Sequence, residues 1–150
     1  VIDVTEGRLF LARGVLLDGD FGAARLRESP LVNAVRPYVA NPPWHTLSAQ
    51  TELVDGIPVG MTLIFHHERL AQVSFRFAYP PEVSEEQVHE QHALWLERTL
   101  GTGPYVYEWG TVVLEYDPRI GESAVVITWR GVSDLHDSVM PWPPGSSPSS

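Results

Sequence analysis

Two histidines three residues apart, His89 and His92, stand one turn beyond a pair of glutamates, Glu85 and Glu86. On a helix, residues three and four apart share a face, so such a set can converge on a divalent cation. The spacing is not His-Glu-x-x-His, in which the ligands are four apart and a glutamate follows the first. His92 also falls in the middle of an apolar stripe, where a hydrogen-bonded core histidine is the ordinary arrangement. No metal is expected there. His66-His67-Glu68 interrupts two alternating runs. Neighbouring strand residues point to opposite faces, so a solvated turn is expected rather than a shared ion. His136, between Asp134 and Asp137, lacks a rigid scaffold to preorganise it. His45, beside Trp44, says nothing alone.

Nucleophilic and phosphate chemistry find little support. Gly121-Glu122-Ser123-Ala124-Val125 begins like Gly-x-Ser-x-Gly but lacks the last glycine, and it sits in a hairpin rather than a strand–turn–helix elbow. Gly101-Thr102-Gly103-Pro104 leaves a helix instead of opening one, so it offers carbonyls rather than amide donors to an anion. All 10 basic residues are arginines, and cysteine is absent. The chain therefore has no Schiff-base or Walker-A lysine, no thiol nucleophile and no thiolate-held metal. No catalytic residue and no cofactor is expected.

Against those 10 arginines stand 19 carboxylates, a formal net charge of -9. Phosphates repel a surface of that sign, which argues against nucleic acid as a partner. A basic protein suits it, because complementary fields speed encounter. No apolar run approaches the roughly 20 residues that span a bilayer. The start lacks the basic-then-apolar plan of a secretory signal, so cytoplasmic residence is the expectation.

The elements that would position these residues follow from periodicity. Residues 8–17 form two apolar runs split by Gly14, a hairpin or bent strand. Asp18-Gly19-Asp20 is a turn, with Asp20 placed to cap a short helix over 21–28 that Pro30 stops. Asn41-Pro42-Pro43 reads as an extended connector. Trp44–Val54 is a strand followed by an Asp55-Gly56 turn. Val59, Met61, Leu63 and Phe65 alternate on one face, as do Ala71, Val73, Phe75 and Phe77, which predicts an antiparallel meander. Ser84 and Gln87 form a capping box for a helix ended by an αL glycine, Gly101, with Val88, His92, Trp95, Leu96, Thr99 and Leu100 on one face. Tyr105–Tyr116 reads as one strand, Asp117–Gly121 as a turn and Ser123–Arg130 as its partner. The whole is an α+β domain over 1–132, an antiparallel sheet packed by two helices. A Pro/Ser-rich tail follows over 133–150.

The last hairpin is unusually aromatic. Tyr105, Tyr107 and Trp109 alternate on one strand, with Trp129 opposite. Cross-strand aromatic pairs stabilise sheets. Tyrosine, tryptophan and arginine also concentrate at interfaces. Tyr107, Glu108, Trp109, Arg119, Trp129 and Arg130 are the expected partner-binding residues.

The strings His92-Ala-Leu-Trp-Leu-Glu-Arg-Thr-Leu-Gly101, Pro104-Tyr-Val-Tyr-Glu-Trp-Gly110 and Tyr116-Asp-Pro-Arg119 with Ser123, taken with Asn41-Pro-Pro-Trp44, resemble an uncharacterised family of small bacterial proteins. Some of its members look like immunity proteins of polymorphic toxins. The resemblance covers residues 41–130. It implies a stoichiometric binder that neutralises a toxin enzyme and carries over no catalytic residue, while the acidic charge suits a basic toxin domain as that partner. Two other functions compete with it: a metal- or carboxylate-dependent hydrolase using the histidines, and an envelope assembly module.

Overall fold

The N-terminal apolar runs fold back on one another. β1 (Ile2–Asp3), β2 (Arg8–Phe10) and β3 (Leu16–Leu17) form a small antiparallel sheet in that order. Its register sets Ile2, Leu9 and Leu17 side by side, all buried. The computed structural model describes residues 2–117 and 122–131. The connection at 118–121, with Arg119, and the tail from 133 onward lie outside the described residues.

Between β2 and β3 the chain makes a tight 3-10 turn at Ala12–Gly14, with Arg13 at φ 63°. That conformation sends the Arg13 guanidinium to Glu52, whose two carboxylate oxygens accept from it at 2.8 and 2.7 Å. The Glu52 side chain is wholly buried, while Arg13 is half-exposed. The pair ties the N-terminal layer to the main sheet. Arg13→Ala would leave a buried carboxylate with no cation. Charge-assisted hydrogen bonds of this kind contribute about 2 kcal/mol. We expect urea unfolding of the variant to shift by that amount, and an unshifted midpoint would refute the tie.

A short helix α1 (Ala23–Arg27) follows. Its N-cap is Gly22, without a side-chain cap, rather than Asp20. Asp18 instead accepts the Asp20 N–H at 2.9 Å, which tightens the turn and points Asp20 toward Arg69. Pro30 opens a 3-10 turn capped by Ser29. β4 (Val35–Asn41) then runs along the edge of the main sheet. Asn41-Pro42-Pro43 is not an extended connector. Asn41 pairs directly with Trp44, so the prolines close a hairpin into β5 (Trp44–Val54).

The meander forms as the alternation requires: β5, β6 (Ile57–His66) and β7 (Arg69–Phe77), all antiparallel. Asp55 and Gly56 both take positive φ, 52° and 77°, as a two-residue hairpin turn demands. Helix α2 (Glu85–Leu100) starts at the Ser84–Gln87 capping box. It ends at Gly101 with φ 81° and ψ −157°, positive in φ but outside the αL region.

The stretch 105–116 is two strands rather than one. β8 (Tyr105–Val106) turns at 107–109 into β9 (Gly110–Asp117), which pairs with β10 (Glu122–Trp129). Tyr107 and Gly110 exchange backbone hydrogen bonds across the turn. Gly110 is required there, because a β-carbon at that position would collide with the Thr128 carbonyl.

The seven strands lie in the order β4-β5-β6-β7-β10-β9-β8. One face carries Val59, Met61, Leu63, Val73, Phe75, Val125 and Ile127, all buried in one cluster with Trp95 and Leu96 of α2 and with Leu9, Leu17 and Phe21 of the N-terminal layer. The other face has only a small apolar cluster of Trp44, Ile64 and Ala71. Thus, among the described residues, α2 and the N-terminal elements share one face of the sheet and leave the other open. Among the described residues no helix is long and apolar enough to cross a membrane.

Candidate functional site

Three places gather chemistry. The first lies where β7 and β10 splay apart, since their pairing stops at Phe75 and Val125. His92 fills the gap. Its Nε2 accepts the Phe77 backbone N–H at 3.0 Å, and its Nδ1 lies 2.8 Å from Ser123 Oγ. His89 Nδ1 is 3.1 Å from the same hydroxyl, and its ring stacks on Tyr116 at 4.5 Å. Because Nε2 accepts, neutral His92 carries its proton on Nδ1 and donates to Ser123, leaving the Ser123 hydroxyl to donate to His89. A serine nucleophile needs a base that takes its proton and access to substrate. Here the Ser123 hydroxyl can donate to His89, but it has no exposed surface, so substrate has no access to it. The residues form a hydrogen-bond relay that stitches α2, β7 and β10 together. Burial holds the His92 imidazole at about 4, below its ordinary 6.5, with Arg76 and His89 acting the same way and Glu85 opposing. Among the described residues, no three His, Asp or Glu side chains are grouped to hold a metal ion.

The turn histidines depart from expectation. His66 is buried, its ring 4.7 Å from that of Trp44. His67, at φ 57°, leaves the strand and brings its ring 4.5 Å from that of His66. Strand alternation no longer separates the pair once the second residue is left-handed.

The second place is the aromatic hairpin end. Five of the six expected partner-binding residues gather there, and Arg119 lies outside the described residues. Tyr107 and Trp109 stack at 5.2 Å, and Trp109 lies 6.4 Å from Trp129. The Trp109 indole donates to the Val4 carbonyl and the Trp129 indole to that of Gly7. Trp129 is only 3% exposed, so it supports this end from beneath. Arg130 donates to the Tyr107 carbonyl at 3.0 Å and bridges the turn. Burial and neighbouring Tyr105 raise the Tyr107 phenol above its ordinary value, so it stays neutral. Glu108 and Arg130 face solvent.

The third place was not singled out in the sequence. Across the open face, Arg36, Ser48, Thr62, Ser74, Val126 and Val113 stand opposite one another in one row over six strands. The short side chains of Ser48, Thr62 and Ser74 in this row line a groove of about 690 Å³, with Tyr38 on one side and Tyr79, Pro80 and Pro81 on the other. Glu85, Arg76 and Glu122 also line it. Arg76 is committed to Glu85 at 2.6 Å. The available signal was the polar half of each alternating strand, which period-two reading treats as mere solvent exposure.

The molecule belongs to the α+β class, a seven-stranded antiparallel sheet covered on one face by a long helix and a small N-terminal layer. Neither a protein-family model nor a curated protein matches the sequence. Among solved structures, the fold is similar to a chain of Rhs1-CT in complex with its cognate immunity protein RhsI1. The TM-score is 0.56 at 15% identity, covering 87% of this chain and 87% of that chain. At that identity the likeness is one of fold.

Proposed function

We propose that the protein is an immunity protein, a stoichiometric inhibitor that binds a toxin enzyme and blocks it. The observation that carries this reading is the fold shared, over most of both chains, with a chain of a complex between Rhs1-CT and its cognate immunity protein. The family resemblance of residues 41–130 supports it. So does the net charge of -9, which favours a basic partner domain and rapid, salt-sensitive encounter. The inhibitor acts by occupancy and needs no catalytic group of its own.

The hairpin end is one contact surface in this reading. Glu108 and Arg130 offer opposite charges beside the exposed edge of Tyr107, while Trp109 and Trp129 hold the turn rigid. Co-expression with a toxin-like domain, where one is encoded beside the gene, is expected to give a 1:1 complex and to protect the host cell. A wild-type protein that neither co-purifies nor protects would dispose of the reading. Glu108→Arg is expected to weaken the complex about tenfold, the cost of misplacing one interfacial charge. Unchanged affinity in a folded variant would remove the hairpin end from the interface.

A further inference from the structure

The open sheet face is a second surface that no described element covers, and the proposal made for it rests on the inhibitor reading above. We infer that the groove between Tyr38 and Tyr79 seats an arginine- or lysine-bearing loop of the protein partner.

Four observations converge on that occupant. The first is shape. Ser48, Thr62 and Ser74 keep the floor low, and Gly60 leaves room for the Gln50 amide, which lies 3.0 Å from where a β-carbon would stand. A cavity of about 690 Å³ takes a few side chains of a loop rather than a helix. The second is hydrogen-bonding character. Among its apolar neighbours the groove offers the hydroxyls of Ser48, Thr62 and Ser74 and the Gln50 amide, acceptors for the N–H donors of a peptide.

The third is the walls. Tyr38 is 70% exposed and Tyr79 39% exposed, large amphipathic rings of the kind that anchor interfaces. Tyr38 stands on the edge strand β4.

The fourth is charge. The cation lining the groove, Arg76, is already neutralised by Glu85, and Glu122 adds an exposed carboxylate. Glu82 and Glu86, both exposed, are next in sequence to the lining residues Pro81, Val83 and Glu85 and oppose the positive end of α2. One oxygen of Glu85 accepts from Arg76 at 2.6 Å, which fixes the carboxylate at the groove's edge. Anionic nucleic acid would meet the same carboxylates as repulsion.

The test uses the full chain and, as probe, an inactivated form of the toxin domain that forms the 1:1 complex in the co-expression experiment above. Ser74→Arg, which fills the floor with a like charge to the incoming loop, and Glu122→Arg are each expected to weaken binding tenfold or more. Glu122→Arg should also slow association and flatten its salt dependence. Glu97→Arg, on the exposed side of α2, should bind as wild type. Amide exchange on the wild-type complex is the readout that no misfolded variant can confuse, and Tyr38, Thr62 and Ser74 should gain protection. Unprotected groove amides, together with wild-type affinity in both groove variants, would overturn the proposal. If Glu108→Arg alone lost binding, the inhibitor reading would stand and the groove would fall. Protection of the groove by self-association, seen as a concentration-dependent dimer, would also overturn it. A wild-type chain that forms no complex would overturn the parent reading and this proposal with it.

Discussion

Replacing Trp95 with alanine is expected to cost the fold about 3–5 kcal/mol, the range for losing a large buried aromatic. Three losses add together. Trp95 is 7% exposed and is one of the side chains by which α2 adheres to the sheet. Its ring meets Phe75 edge-on at 5.6 Å and Phe77 at 6.0 Å, contacts that contribute beyond area alone. Its indole N–H donates to Asp55 at 2.9 Å, which fastens the helix to the β5–β6 turn. No remaining side chain can reach both the two phenylalanines and the turn. The measurement is urea unfolding followed by the remaining tryptophans and by far-ultraviolet dichroism. A midpoint within error of wild type would refute the placement of α2. Trp95→Phe should recover most of the loss, since it keeps the edge contacts and gives up only the hydrogen bond.

That expectation stands already in the sequence, and the reason is physical. The signals for α2 are local: a Ser84–Gln87 box, two glutamates at the positive end, and an apolar stripe at helical spacing. The meander is equally legible, because alternation over β6 and β7 states both the strand and its buried face. What was missed depends on neighbours distant in the chain. β4 carries little apolar patterning and contains Pro37, which only an edge strand tolerates, so nothing local marks it as part of a sheet. The run from Tyr105 to Val113 alternates as a single strand would. Yet it folds over at 107–109 because Gly110 must pass beside the Thr128 carbonyl. The tryptophans of the expected contact surface were recognised as a group. Their indoles, however, are turned to the carbonyls of Val4 and Gly7, more than a hundred residues away, and no spacing rule reports that. The open groove escaped for a related reason. Ser48, Thr62 and Ser74 form one row only through strand register, and each looks like an ordinary polar position alone.

The fold should weaken steeply as pH falls from about 6.5 to about 4, and His92 is the reason. In the folded chain both ring nitrogens are committed, Nε2 as an acceptor from Phe77 and Nδ1 as a donor to Ser123. Protonating Nε2 would turn a donor toward a donor inside the core. Burial first, then the positive fields of Arg76 and His89, hold the ring neutral down to about pH 4, against the pull of Glu85. The unfolded chain accepts its proton near 6.5. Between those values the unfolded state binds a proton that the folded state refuses, so stability rises with pH across the window. It is intact above about 6.5 and falls by roughly 3 kcal/mol on reaching pH 4, at about 1.4 kcal/mol per unit. Carboxylates also contribute to acid unfolding, so the diagnostic is a difference between variants. His92→Gln removes the titration while offering an amide oxygen to the Phe77 N–H. It should be less stable at neutral pH, by about 1–3 kcal/mol for imperfect replacement of a buried partner. Its stability should also fall less between pH 6.5 and 4 than that of the wild type. His92→Ala leaves the Phe77 N–H and the Ser123 hydroxyl without partners and opens a cavity where β7 and β10 splay. Its cost should reach about 3–5 kcal/mol. Unfolding free energies measured every half unit from pH 4 to 7.5 decide the matter. Parallel curves for wild type and His92→Gln would mean that His92 is protonated in the folded chain, and would break the relay from Phe77 through Ser123 to His89.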